Sequence, residues 1–409
     1  MKKNFIWMSI NLISKLLANL FVFMIIARAL SINDFGKLMY FYTISIIVNI
    51  FVDYGFNLYT VKEMAKNKQN WQKVFTESLN AKIFLTIICT ILFIPLFLIY
   101  KEDILILFFF FGTGIFTSYI NYILLPFRIL DKYKFETNFS ILSNVLLFII
   151  VLILSLVSHN VIFVSFSFFF SRILVLILLI IVIKKEINLS FAIKINFAIS
   201  YKVLKRNISY GIHLIVGTLY FQVDTIILNY FSDFINVANY QSAFRIIMAG
   251  LIFTDVLSNI LLPKIATIQS YEILIAYVKK FKNLLMVFGL LIGLVLFLSS
   301  EMIIKIIYGD GFEDSVLIMK VLCLMLLFRY LITIDGMILT VLDKQKVRST
   351  IAIIGLLLNI IFSVIFVNGY GAIGAAFASV LTSFILLIIY KIQTKALLGT
   401  RREGLFYEY

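Results

Sequence analysis

Charge is scarce in this chain: only 14% of its 409 residues are Asp, Glu, Lys or Arg, while 62% are hydrophobic. A soluble domain carries about 25% charged and about 45–50% apolar residues. A globule of this composition would lack the polar surface to cover its core. A large soluble protein is therefore excluded, and lipid is the expected bulk solvent. Cysteine is nearly absent too. Cys89 and Cys323 fall inside apolar runs and read neither as disulfide partners nor as metal ligands, so the redox compartment stays unread. There are two histidines, and no Cys or His pair has ligand spacing. P-loop, GxSxG and HExxH motifs are missing, and GDGFED (309–314) lacks EF-hand spacing. With no cofactor or nucleotide site, energy has to come from a gradient or from the substrate. The three prolines, beside many Ile, Phe, Asn and Lys, fit an AT-rich genome and carry no functional reading.

What is present is a net charge of +15, from 36 Lys and Arg against 21 Asp and Glu. Such a balance suits nucleic acid or an anionic membrane surface, and its placement decides between them. Apolar runs of about 20 residues predict twelve transmembrane helices. They lie at 5–30, 38–58, 80–100, 104–126, 139–158, 161–183, 208–231, 240–262, 284–307, 316–342, 349–367 and 371–391. The first ends in Ala27-Arg28-Ala29, which mimics a signal-peptide site. It is longer than a signal core and interrupted by Asn11, Ser14 and Lys15, so it reads as a retained helix. With the N-terminus in the cytoplasm, 27 Lys and Arg fall in cytoplasmic segments, four in outer loops and five inside helices. That alternation is the positive-inside pattern. It predicts cytoplasmic termini and makes a nucleic-acid partner unnecessary.

LDKYK (130–134) follows the fourth span and LDKQK (342–346) follows the tenth, both on the cytoplasmic side. RALSINDFGKLMYFY between spans one and two is echoed by NYFSDFINVANYQSA between seven and eight. These echoes predict a parallel duplication. The expectation is an all-α polytopic membrane protein with two pseudo-symmetric six-helix lobes. The boundaries are 1–183 for the first lobe and 208–409 for the second, joined by a cytoplasmic linker over 184–207. Alternating apolar residues across 187–199 read as extended chain on the membrane interface, followed by a short basic helix.

A charge at mid-membrane costs about 2.5–3.5 kcal/mol on insertion scales, so ionisable groups inside spans face a cavity or a partner. Asn11, Ser14, Lys15, Ala18 and Asn19 share one face of the first span. Ser45, Asn49, Asp53 and Asn57 form a stripe on the second, and His213, Gly217, Tyr220 and Asp224 one on the seventh. Arg172 lies in the sixth, Gln241, Arg245, Asp255 and Asn259 in the eighth, and Arg329, Thr333, Gly336 and Thr340 along one face of the tenth. Lys15, Arg172, Arg245 and Arg329 are therefore candidates to line a cationic cavity for an anionic cargo. The guanidinium fork suits phosphate. Asp53, Asp224 and Asp255 are candidates to carry H⁺ or Na⁺, or else to neutralise the arginines; the sequence leaves both open.

ISKLLANLFVFMIIARALSINDFGKLMYF and VDYGFNLYTVKEMAK resemble the opening of the Wzx-type polysaccharide flippases of the MOP exporter superfamily. SYGIHLIVGTLYFQVDTIILNYF, YGDGFEDSVLIMKVL and NGYGAIGAAFASVLTSF continue the resemblance through the second half. It implies a V-shaped, two-lobed bundle working by alternating access in the bacterial inner membrane, coupled to H⁺ or Na⁺. The implied cargo is an undecaprenyl-diphosphate-linked oligosaccharide bound for O-antigen or capsule, with a glycan polymerase and a chain-length regulator as downstream partners. A MATE-like exporter would favour a cavity of carboxylates and aromatics. A glycan polymerase or ligase would need a large outer loop, and here the outer loops are short.

Overall fold

The computed structural model describes residues 2–187, 194, 196–266, 271–342 and 344–404. Among these every regular element is a helix. The chain divides into two compact units, Met1–Gln222 and Val223–Tyr409. Among the described residues ten helices are long and apolar enough to cross a membrane by length and composition. They expose aliphatic side chains along their lengths, with Leu92 at 70% and Leu156 at 77%. Such surfaces need lipid, and helices keep their backbone polar groups satisfied within it. This is a multi-pass membrane protein.

The first unit contains α1 (Lys2–Ala29), α2 (Ile32–Asp53), α3 (Phe56–Lys66), α4 (Trp71–Ile99), α5 (Ile104–Ile123), α6 (Leu125–Ile129), α7 (Tyr133–Val157) and α8 (Val161–Ile187). It also takes the first part of α9 (Phe197–Phe231). Helix α2 starts where Ser31 Oγ accepts the Asp34 amide at 3.1 Å, an N-cap with an acidic residue in the first turn. It ends in two consecutive left-handed residues, Tyr54 (φ 44°) and Gly55 (φ 76°). The elbow between α2 and α3 is locked to α9. Asn207 Nδ2 donates to the Tyr54 carbonyl at 2.6 Å, and a Cβ on Gly55 would lie 2.7 Å from the Tyr210 backbone. These contacts explain why the unit boundary falls inside α9. Residues 188–193 and 195 of the expected extended linker lie outside the described residues.

The second unit continues α9 and adds α10 (Phe234–Ala266), α11 (Tyr271–Leu298), α12 (Ser300–Tyr308), α13 (Asp314–Val341) and α14 (Gln345–Gly404). Two expected spans merge in α14, which is interrupted at Gly371 (φ 55°, ψ −132°). A side chain there would meet Asn236 Oδ1 at 2.7 Å, so glycine is required. In each unit the fourth long helix packs on the second: α5 on α2, and α13 on α10.

The repeated LDK segments are helix stops of one design. In the first, Lys132 N donates to Phe127 O at 2.8 Å and Asp131 N to Arg128 O at 3.2 Å, with Asp131 left-handed (φ 55°). In the second, Lys344 N donates to Leu339 O at 2.8 Å. The six-to-one bond is that of a Schellman cap. Aspartate is among the few non-glycine residues that tolerate the left-handed position. Asp343 lies outside the described residues.

Candidate functional site

The first unit holds a polar cavity of about 360 Å³, lined from α1, α2, α3, α5, α6, α7 and α8 and by Leu124 between α5 and α6. That volume lies at the small end of ligand pockets, about 300–1,000 Å³. Helix periodicity sets its first wall: Asn11, Lys15 and Asn19, one turn apart on α1, all line it. Arg172 enters from α8 and donates through Nη1 to Ser143 Oγ on α7 at 2.7 Å. Ser140 and Asn144 lie on the same α7 face, and Asn57 and Asn121 complete the polar lining. Lys15 is exposed where it lines the cavity, whereas Arg172 is half-buried.

Two charged lining residues were hidden in the sequence. Arg128 on α6 grips Glu136 on α7 bidentately, through Nε to Oε2 at 2.9 Å and Nη2 to Oε1 at 2.7 Å. In sequence Arg128 counts as a loop cation. Only its spacing of eight residues from Glu136 across a turn hinted at more, and many surface pairs share that spacing. The cavity thus holds Lys15, Arg128 and Arg172 against one carboxylate, Glu136, which Arg128 already neutralises.

Asp53 belongs to a separate charge pair behind this wall. Its carboxylate accepts Asn57 N at 3.3 Å and Asn57 Nδ2 at 3.0 Å, and it lies 3.9 Å from Lys82 Nζ. Lys82, at the edge of the expected third span, counts among the 27 cytoplasmic cations of the sequence reading, and the structure buries it instead. It stands on α4, fully buried, because α4 begins about nine residues before the expected third span. Its ammonium donates to Ser118 Oγ at 2.7 Å and to Val52 O at 3.1 Å, and the rings of Phe56, Tyr119 and Tyr122 surround it at 5.4–5.7 Å. Oxygen acceptors, a carboxylate and three π-faces together compensate its desolvation. The rest of the α2 stripe serves packing. A Cβ on Gly114 of α5 would meet the Ser45 carbonyl, and Asn49 N at 3.2 Å.

In the second unit Asp224 of α9 is 1% exposed and accepts four hydrogen bonds. The donors are Tyr240 (2.8 Å), Asn359 Nδ2 (2.9 Å), Ser363 (2.6 Å) and Ser379 (2.7 Å). They come from α10 and from both sides of the Gly371 break in α14. Among the described residues no basic side chain forms an ion pair with Asp224. Asp335, also buried, accepts Lys282 Nζ from α11 at 2.8 Å and Thr394 Oγ1 from α14 at 3.1 Å. Arg245 and Arg329 are half-buried on α10 and α13. The side chain of Asp255 lies outside the described residues. Of the four expected cavity cations, then, the structure brings Lys15 and Arg172 to one cavity and puts Arg245 and Arg329 in the other unit.

Comparison with known proteins gives one family model, described as "Polysaccharide biosynthesis protein", matching residues 1–269. A "Putative O-antigen transporter" of Shigella dysenteriae is 24% identical over 390 residues, covering 90% of this chain and 92% of that protein. Among solved structures, the lipid II flippase MurJ in an inward closed conformation superposes with TM-score 0.75 at 17% identity, covering 99% of this chain and 94% of its own. An inward-facing multidrug resistance MATE family transporter of the MOP superfamily reaches TM-score 0.81 at 13% identity, covering 98% of this chain and 99% of its own. At such identities these likenesses show the fold alone.

Proposed function

This chain belongs to the polysaccharide biosynthesis protein family, and we propose from that premise that it flips a diphosphate-linked oligosaccharide on a polyprenyl carrier. It is a transporter, not an enzyme. The observation that carries the cargo reading is the first-unit cavity, where Lys15 and Arg172 remain for an anion after Glu136 and Arg128 have paired. An undecaprenyl tail can stay in the bilayer while only the diphosphate and sugars need a polar path. Charge-assisted hydrogen bonds from the Arg172 fork and the Lys15 ammonium would replace the water lost by the phosphates. The movement is alternating access in the cytoplasmic membrane, with both termini inside, delivering repeat units to a polymerase and chain-length regulator for O-antigen or capsule.

Asp224 is the coupling site in this reading. A buried carboxylate whose partners are hydroxyls and an amide, rather than a cation, can take H⁺ or Na⁺ without breaking an ion pair. Asp53 is a structural counter-charge for Lys82. A MATE-like exporter of cationic drugs shares the fold, but a cavity in which basic groups outnumber acidic ones disfavours that cargo.

The test is a strain lacking this protein. Loss of surface glycan with complete single repeat units accumulating on the carrier, inaccessible from outside, is the expected result. Single units that reach the outer leaflet unpolymerised would assign the step to a polymerase instead. Unchanged glycan would overturn the cargo.

A further inference from the structure

Buried polar atoms without a partner are uncommon, since each costs about 1–3 kcal/mol. Four such atoms belong to side chains lining the first-unit cavity: Asn11 Oδ1, Asn57 Oδ1, Asn144 Nδ2 and Arg172 Nε. Arg172 is the phosphate ligand of the proposed function. The three asparagines are uncharged, and a diphosphate gains little from Asn11 and Asn57, because an amide oxygen facing a phosphate oxygen sets acceptor against acceptor. Two acceptors and one donor, by contrast, match an uncharged sugar, whose hydroxyls both donate and accept.

The orientation of Asn57 is held from behind. Its Nδ2 donates to Asp53 Oδ2 at 3.0 Å and its backbone N to Asp53 Oδ1 at 3.3 Å. Asp53 is in turn within 3.9 Å of the buried Lys82 ammonium. With the amide nitrogen committed to a carboxylate, the Asn57 oxygen is left as an acceptor. Lys82 and Asp53 are thus positioning residues for Asn57. Asn11 and Asn144 approach from α1 and α7, the helices that also bring Lys15 and the Ser143 partner of Arg172.

Resting on the flippase reading above, we propose that Asn11, Asn57 and Asn144 form a subsite for the first uncharged sugar, a hexose or N-acetylhexosamine, next to the diphosphate held by Lys15 and Arg172. The subsite reads hydroxyl and acetamido groups, while the cations read charge. Affinity for the carrier and preference for a glycosylated carrier are therefore separable.

The experiment measures binding to the purified full chain in detergent. The probes are undecaprenol, undecaprenyl diphosphate, and undecaprenyl diphosphate bearing one hexose or one N-acetylhexosamine. The wild type is expected to bind diphosphate over undecaprenol, and at least one glycosylated probe more tightly still. Asn144→Ala, whose Nδ2 has no partner to lose, should reduce the sugar increment about tenfold, the loss of one well-made hydrogen bond, and leave bare-diphosphate binding unchanged. Asn57→Ala should do the same, with monodisperse elution as the folding control. Lys15→Ala and Arg172→Ala should weaken all diphosphate probes alike. If the asparagine variants keep the full increment, or no sugar adds affinity in the wild type, the subsite is overturned while the flippase reading stands. If undecaprenyl diphosphate binds no better than undecaprenol, the flippase reading falls and the subsite with it.

Discussion

The first-unit cavity and the buried aspartates of the second unit hold polar groups in opposite ways. In the second, Asp224 has four donors drawn from two helices, and Asp335 has a lysine and a threonine. In the first, the cavity walls keep buried polar atoms unsatisfied on Asn11, Asn57, Asn144 and Arg172. A satisfied buried network fixes packing and responds to little besides a proton or a small cation. An unsatisfied one is a standing cost that a ligand can relieve. On the proposed reading, the Asp224 site serves holding and coupling, and the first-unit cavity receives cargo.

The largest effect that would sharpen this contrast is Asp224→Ala. It strands four donors at about 1–3 kcal/mol each before relaxation, so thermal melting in detergent should fall far below wild type. A melt close to wild type would break the comparison. Na⁺ or acid should raise the wild-type melting temperature and leave that of Asp224→Ala unmoved.

Lys82→Met comes next. It leaves Asp53 buried without its counter-charge, at about 3–5 kcal/mol. Adding Asp53→Leu should restore much of the loss, because a well-packed apolar pair often replaces a buried ion pair at little cost. A double variant as unstable as the single would mean that Lys82 acts through its aromatic and carbonyl contacts instead.

Gly371→Ala should cost about 1–2 kcal/mol for the left-handed backbone alone, and more if Asn236 cannot move. Circular dichroism should show the helices retained at a lower midpoint. Arg172→Ala should change stability least, within about 1 kcal/mol, since one of its donors is already unpaired. It should nonetheless abolish surface glycan with normal protein in the membrane. A large drop in stability would make Arg172 a packing residue and erase the difference between the units.

Much of the scaffold was legible in the sequence. Apolar runs located the long helices, and the repeated LDK segments marked equivalent helix stops. A Schellman cap is written locally, in a few residues around one left-handed position. The α1 face carrying Asn11, Lys15 and Asn19 was legible for the same reason, since helical periodicity is local. The Lys82 site was not. Its lysine opens an apolar run as a loop cation would, and only the contacts with α2, α3 and α5 show that it is buried. Arg128 was misread in the same way, its partner Glu136 lying across a turn that the sequence does not orient.

By itself, then, the sequence determined the solvent and the long helices, which follow from composition and short-range period, while the family rested on the resemblance of whole segments. Tertiary structure decided which charges are spent and which remain. Arg128 and Lys82 are neutralised, Asp224 is sheathed in donors, and Lys15 and Arg172 are left to line a cavity. The reason is physical. A charge inside a membrane protein takes its meaning from its partners within a few ångströms, and those partners arrive from helices far apart along the chain.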